Sequence, residues 1–94
     1  MGIGAAQAVT AAGLVPGTDV KIATIDGTTG ALEALAAGEL SFVAQYNPFF
    51  GDVVFDVVTK ALAGDVVQSI ISVESDTFDS PEAGRAALEA GLGF

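Results

Sequence analysis

Two polar side chains stand where apolar runs stop, and both are types that hydrogen-bond neutral hydroxyls. Asp26 closes "KIATID" just before Gly27, and Gln45 closes "LSFVAQ" one residue before Tyr46. A carboxylate accepts two hydrogen bonds from vicinal hydroxyls, whereas an amide gives one and takes one, a pairing suited to an uncharged polyol. Asp before Gly is also a common turn residue that caps its own backbone. Spacing alone leaves turn and ligand contact level for Asp26. Asn47, followed by Pro48, has the residue types of a helix N-cap and first helical position.

Other chemistry finds little support. The chain has no Cys and no His, which removes thiol nucleophiles, imidazole bases, disulfides and the usual zinc sites. Asp52 with Asp56 on one helical face, and Glu74, Asp76 and Asp79 further on, read as solvated acidic surface. "DGTTGAL" lacks the Lys and the spacing of a phosphate-binding loop. No catalytic residue, metal ligand or cofactor is assigned, and the reading is of a protein that is not an enzyme. Twelve acidic residues against three basic ones give a net charge of −9, which repels a phosphate backbone and anionic lipid and disfavours both as partners. No apolar stretch approaches the ~18 residues of a spanning helix, and "MGIGAAQAV" lacks the basic start of a targeting signal.

The elements that must position these residues follow from a repeat. Gly13, Gly38 and Gly64 each close a helical pattern and precede an extended one, at nearly equal spacing. That is the period of an α/β unit. The first helix is expected over residues 4–12, and "LVPGTD" then turns into a strand over Val20–Ile25, apolar enough to predict burial on both faces. A second helix over residues 29–37 has Thr28 as its N-cap, and a second strand covers Ser41–Gln45. The longest helix, from Pro48 to Ala63, carries a wide apolar stripe of Phe50, Val53, Val54, Val57, Val58, Ala61 and Leu62, with Asp56 and Lys60 as an exposed i,i+4 pair. A third strand is expected over Val67–Val73, and Ser80 and Pro81 open a last helix through Ala90. The fold expected is a single α/β domain over residues 1–94, three-layered, with a small, mainly parallel sheet of three strands flanked by helices. In such sheets ligands gather at the carboxyl ends of the strands. Asp26 and Gln45 both stand there.

With these pieces in place, the chain resembles the C-terminal part of the periplasmic sugar-binding proteins of ABC transporters, of the ribose and galactofuranose type. The resemblance rests on "GxDVKIATIDG", on "A-x-G-E-L-x-F-V-A-Q" and on the final "LGF", and it covers nearly the whole chain. It implies a fragment of a two-lobe fold that binds a monosaccharide between its lobes without chemistry and delivers it to an ABC permease. It further implies that Asp26 and Gln45 contact sugar hydroxyls, and that Asn47, near the crossing between lobes, is a weaker candidate for ligand contact that helix capping explains equally well. Members of this group are roughly three times longer, so the resemblance also implies an N-terminal lobe outside this chain, against which the valine stripe would pack. Such a lobe would account for a mean hydropathy of +0.60 in so small and acidic a domain. The full-length protein would be periplasmic or at the cell surface. The effector domain of a sugar-responsive transcriptional repressor shares the Asp-Gly strand end and is the alternative.

Overall fold

The computed structural model describes residues 1–94. Helix α1 spans Gly2–Ala11, strand β1 Ala23–Asp26, helix α2 Thr29–Ala36 and strand β2 Phe42–Gln45. Helix α3 spans Gly51–Leu62, strand β3 Thr77–Phe78 and helix α4 Pro81–Glu89. The strands form one sheet in the order β1-β2-β3. β1 and β2 run parallel with Ala23 opposite Phe42 and Asp26 opposite Gln45, the arrangement expected of strands joined by a helical crossover. β3 adds antiparallel to β2, with Val43 opposite Phe78.

Local sequence explains where the helices start. Thr28 accepts a hydrogen bond on its hydroxyl from Ala31 N at 3.3 Å, and Ser80 does the same for Ala83 N at 3.1 Å with Pro81 following. Both side chains satisfy amides that the first turn leaves without a partner. α2 and α4 cross closely because Gly84 has no side chain: a Cβ there would lie 2.9 Å from Ala36 N and 3.1 Å from Leu32 O.

The core is small and lies on one face of the sheet. Leu32, Leu35, Leu40 and Val43 are fully buried, joined by Ala6, Ile22, Ala31, Ala34, Phe78 and Ala87. Each large side chain so buried contributes about 1.5–3 kcal/mol. Val43 and Phe78 are register partners, so α1, α2 and α4 gather over the face that these two share. The opposite face, with Ile25 66% exposed and Thr77 exposed, carries no packed helix. The expected small sheet of three strands flanked by helices is present, with its packed core on one face.

Three expectations need correction. β1 is not buried on both faces: it is an edge strand, and of its four residues only Thr24 is half-buried. Val67–Val73 is not a strand. The second side of β2 is occupied by Thr77–Phe78 instead, where Gln45 N also donates to Asp76 O at 2.8 Å, and a β-branched run without a neighbouring ladder has nothing to pair with. The longest helix begins at Gly51 rather than Pro48, with Phe50 in the cap position and no side-chain cap. Asn47 has already committed its acceptor: Oδ1 takes Phe49 N at 2.8 Å, an Asx turn that holds residues 48–50 outside the helix.

α3 makes no substantial contact with any other helix or strand, and none of its residues is buried. Its Asp56 and Lys60 pair at 2.6 Å in solvent, as expected. With the stretch that follows, α3 stretches the molecule to 60 × 25 × 16 Å and a radius of gyration of 17.3 Å, against about 12 Å for a compact chain of this length. The apolar exposure expected of this helix is observed, Leu62 being 85% accessible.

Candidate functional site at the strand ends

The parallel register sets Asp26 directly beside Gln45 at the carboxyl ends of β1 and β2, about 4.8 Å apart along the hydrogen-bonding direction. Tyr46 N donates to Asp26 O at 3.0 Å and completes the ladder. Beyond this point the chains diverge, β1 into Gly27 and the start of α2, β2 into the Asn47 turn.

Asp26 is held in the left-handed region, with φ at 100°, the only non-glycine residue of the chain in that state. This backbone costs an L-residue about 1–2 kcal/mol. Its side chain is exposed, and its carboxylate forms no hydrogen bond or ion pair within the chain. A self-capping turn residue would spend that carboxylate on nearby amides; Asp26 does not. It borders a groove of about 450 Å³ that runs along β1, lined by Met1, Gly2, Ala5 and residues 22–26.

Gln45 is in the opposite state. It is buried, and its Nε2 donates to Leu92 O at 2.8 Å. A carbonyl can only accept, so the amide nitrogen faces Leu92 and Oε1 faces away. Oε1 accepts no hydrogen bond within the chain, and no sealed polar side-chain atom of the chain lacks a partner, so this oxygen reaches solvent. The expected give-and-take amide thus spends one of its two Nε2 hydrogens on Leu92 O and keeps Oε1 as a free acceptor, beside the acceptor-only carboxylate of Asp26.

Asn47 is half-buried and lies on a different surface. It lines a largely apolar cavity of about 420 Å³ with Tyr46, Phe50, the valines of α3, Ile71 and Val73. With Oδ1 engaged by Phe49 N, only its Nδ2 hydrogens remain to give. The fold therefore brings Asp26 and Gln45 together and sets Asn47 apart. The acidic clusters stay on the surface: Asp52 accepts from its neighbour Val53 N, and Asp56 is spent on Lys60.

One participant enters the sequence analysis only as a motif of resemblance, with no role. Residues 92–94 reach the strand ends through Leu92 O, although "LGF" carries no side chain of obvious chemistry. The contact is made by main chain, which sequence does not single out.

A sheet of this topology with a polar pair at its strand ends matches a portion of the periplasmic binding protein fold, and the relatives of the chain are sugar-binding proteins of that kind. Over 86 residues the chain is 52% identical to the fructose import binding protein FruE of Bifidobacterium longum, covering 92% of the chain and 26% of that protein. It is 29% identical over 89 residues to the galactofuranose-binding protein YtfQ of Escherichia coli, covering 95% of the chain and 28% of that protein. Among solved structures, a Mycobacterium smegmatis protein in complex with β-D-fucofuranose superposes with a TM-score of 0.84 at 36% identity, covering 97% of the chain and 30% of its own length. The periplasmic binding component of a Shewanella arabinose ABC transporter, bound to α- and β-L-arabinofuranose, gives 0.83 at 33% identity, covering 95% of the chain and 30% of its own. The chain thus spans about a quarter of the length of the curated relatives it matches. No protein-family model matches it.

Proposed function

We propose that the chain forms part of the monosaccharide site of a substrate-binding component of a sugar ABC importer, acting by binding and release without chemistry. The observation that carries this reading is the state of Asp26: strained, exposed and with its carboxylate unspent, beside the outward oxygen of Gln45. Two acceptors about one strand spacing apart suit two hydroxyl donors on adjacent ring carbons. Relatives solved with fucofuranose and arabinofuranose favour a five-membered ring as the ligand form. Asn47, on the neighbouring surface apart from this pair, offers amide donors to a hydroxyl that reaches beyond it.

The remaining parts of the reading follow from the importer class. The working partner is an ABC permease, and the place of action is the periplasm or cell surface. A second lobe covers the strand ends and takes up the apolar stripe of α3. The reported relatives are import and transport binding proteins, which favours this reading over a repressor's effector domain.

Amide NMR of the chain during titration with D-fructose and L-arabinose tests the proposal. Shifts concentrated at residues 26–27 and 45–47 are expected, at weak affinity, because few contacts offset the ~4 kcal/mol or more lost on immobilising a ligand. Shifts confined to the α3 surface, or none at millimolar sugar, would contradict it.

A further inference from the structure

We infer that residues Leu92–Phe94 act as a clasp that positions the sugar site, with Gly93 and Phe94 as positioning residues for the Gln45 amide. The inference rests on the sugar-binding reading above and adds to it a segment that touches no ligand.

The clasp begins where α4 ends. Gly91 adopts a φ of 68°, and Leu92 N returns to Ala87 O at 3.0 Å. This left-handed closure turns the chain back across the sheet end. Four contacts then fall on three consecutive residues. Leu92 O takes the Gln45 amide at 2.8 Å. Gly93 lies against Thr29 so tightly that a Cβ would stand 2.7 Å from its Oγ1 and 2.8 Å from its Cα. Phe94 O accepts from Thr29 N at 3.1 Å, and the Phe94 ring meets Phe49 edge-on, centroids 6.2 Å apart at 88°.

Each contact lands beside a proposed site residue. Thr29 N is one of the first amides of α2, the helix that follows Asp26 and Gly27, and such amides have no partner inside the helix. Phe49 is the residue whose amide closes the Asn47 turn. Gln45 is held directly. Residues 92–94 therefore tie both diverging chains to one another beyond the sheet, where no ladder remains to do so. The Leu92 carbonyl also fixes which end of the Gln45 amide faces out. Without it the amide is free to rotate, and the outward acceptor is lost for part of the time.

The test uses the chain itself, with two readouts. The first needs no ligand: the Gln45 Nε2 hydrogens, followed by NMR, are expected to exchange slowly in the native chain. In Phe94→Ala and in Gly93→Ala this exchange should quicken at least about tenfold, as expected when a local contact opens, while Phe94→Tyr, which keeps the ring contact, restores it. Phe94 is exposed, so its loss leaves the core amides of Leu32 and Leu35 protected. The second readout is titration with D-fructose. Phe94→Ala and Gln45→Glu, the latter turning a carboxylate oxygen toward the Leu92 carbonyl, should each weaken sugar-induced shifts by up to about tenfold, the worth of one hydrogen bond.

A Gln45 amide that exchanges freely in the native chain would overturn the clasp. Quickened exchange with undiminished sugar shifts would overturn its positioning role. Absence of sugar shifts in the native chain would overturn the sugar reading, and the positioning role with it, while the exchange data still report whether the clasp exists.

Discussion

Replacing Asp26 by glycine should make the chain more stable and the site worse. The left-handed backbone at φ 100° costs a residue with a Cβ about 1–2 kcal/mol. Glycine removes that cost and returns about 0.5–1 kcal/mol of it through the greater freedom of the unfolded chain. The carboxylate forms no bond within the chain whose loss would offset the gain, and its removal also reduces a net charge of −9. Asp26→Gly is thus expected to gain about 0.5–1 kcal/mol. In a domain of this size that raises the melting temperature by about 2–8 °C. Asp26→Ala keeps the Cβ and the strain, and should stay within about 0.5 kcal/mol of the native chain, as surface substitutions do. Thermal unfolding by circular dichroism, supported by urea midpoints, reads both. If Asp26→Gly lowered the melting temperature, or Asp26→Ala cost more than about 1 kcal/mol, the carboxylate would be capping the backbone after all, and the argument for an unspent ligand group would fail.

Three other substitutions test the frame around the site. Gly84→Ala forces a Cβ to 2.9 Å from Ala36 N and should cost about 1–3 kcal/mol in a urea melt, as overpacking does. Ser80→Ala removes the hydroxyl that caps α4 and should cost about 1 kcal/mol, lowering the helical signal near the α4 end in NMR. Val54→Thr and Val58→Thr, on the exposed side of α3, should change unfolding midpoints by no more than about 0.5 kcal/mol each; a larger loss would mean that this helix is packed in solution.

Periodicity and punctuation carried much of the fold into the sequence. Thr28 and Ser80 before their helices, and the glycines after them, are local signals whose mechanism acts within one turn of chain, and these limits are close to those observed. Burial and pairing are not local. The run around Val67–Val73 has the composition of a strand, yet the edge it would need is taken by the two residues Thr77 and Phe78, whose own sequence says little. Ile25 looks like core and stands exposed on an edge strand, because nothing in six residues says how many neighbours a strand will have. Asn47 met a choice between two local bonds, a helix cap or a tight turn, and the Phe49 amide took its oxygen. At the site, the pairing of Asp26 with Gln45 followed from parallel crossovers. The locking of Gln45 by a backbone carbonyl 47 positions away has no side-chain signature to read.

Whether the strand-end pair holds sugar is tested most directly in a host that supplies the rest of a binding protein. The matched 86-residue stretch of the Bifidobacterium longum relative, 52% identical to this chain, can be replaced by the corresponding residues of this chain and the chimera titrated calorimetrically with D-fructose. Binding by the chimera is expected, falling by roughly ten- to a hundredfold in Asp26→Ala, the worth of one hydrogen bond to a charged group. A folded chimera whose affinity is untouched by Asp26→Ala would contradict the assignment of that carboxylate to the ligand.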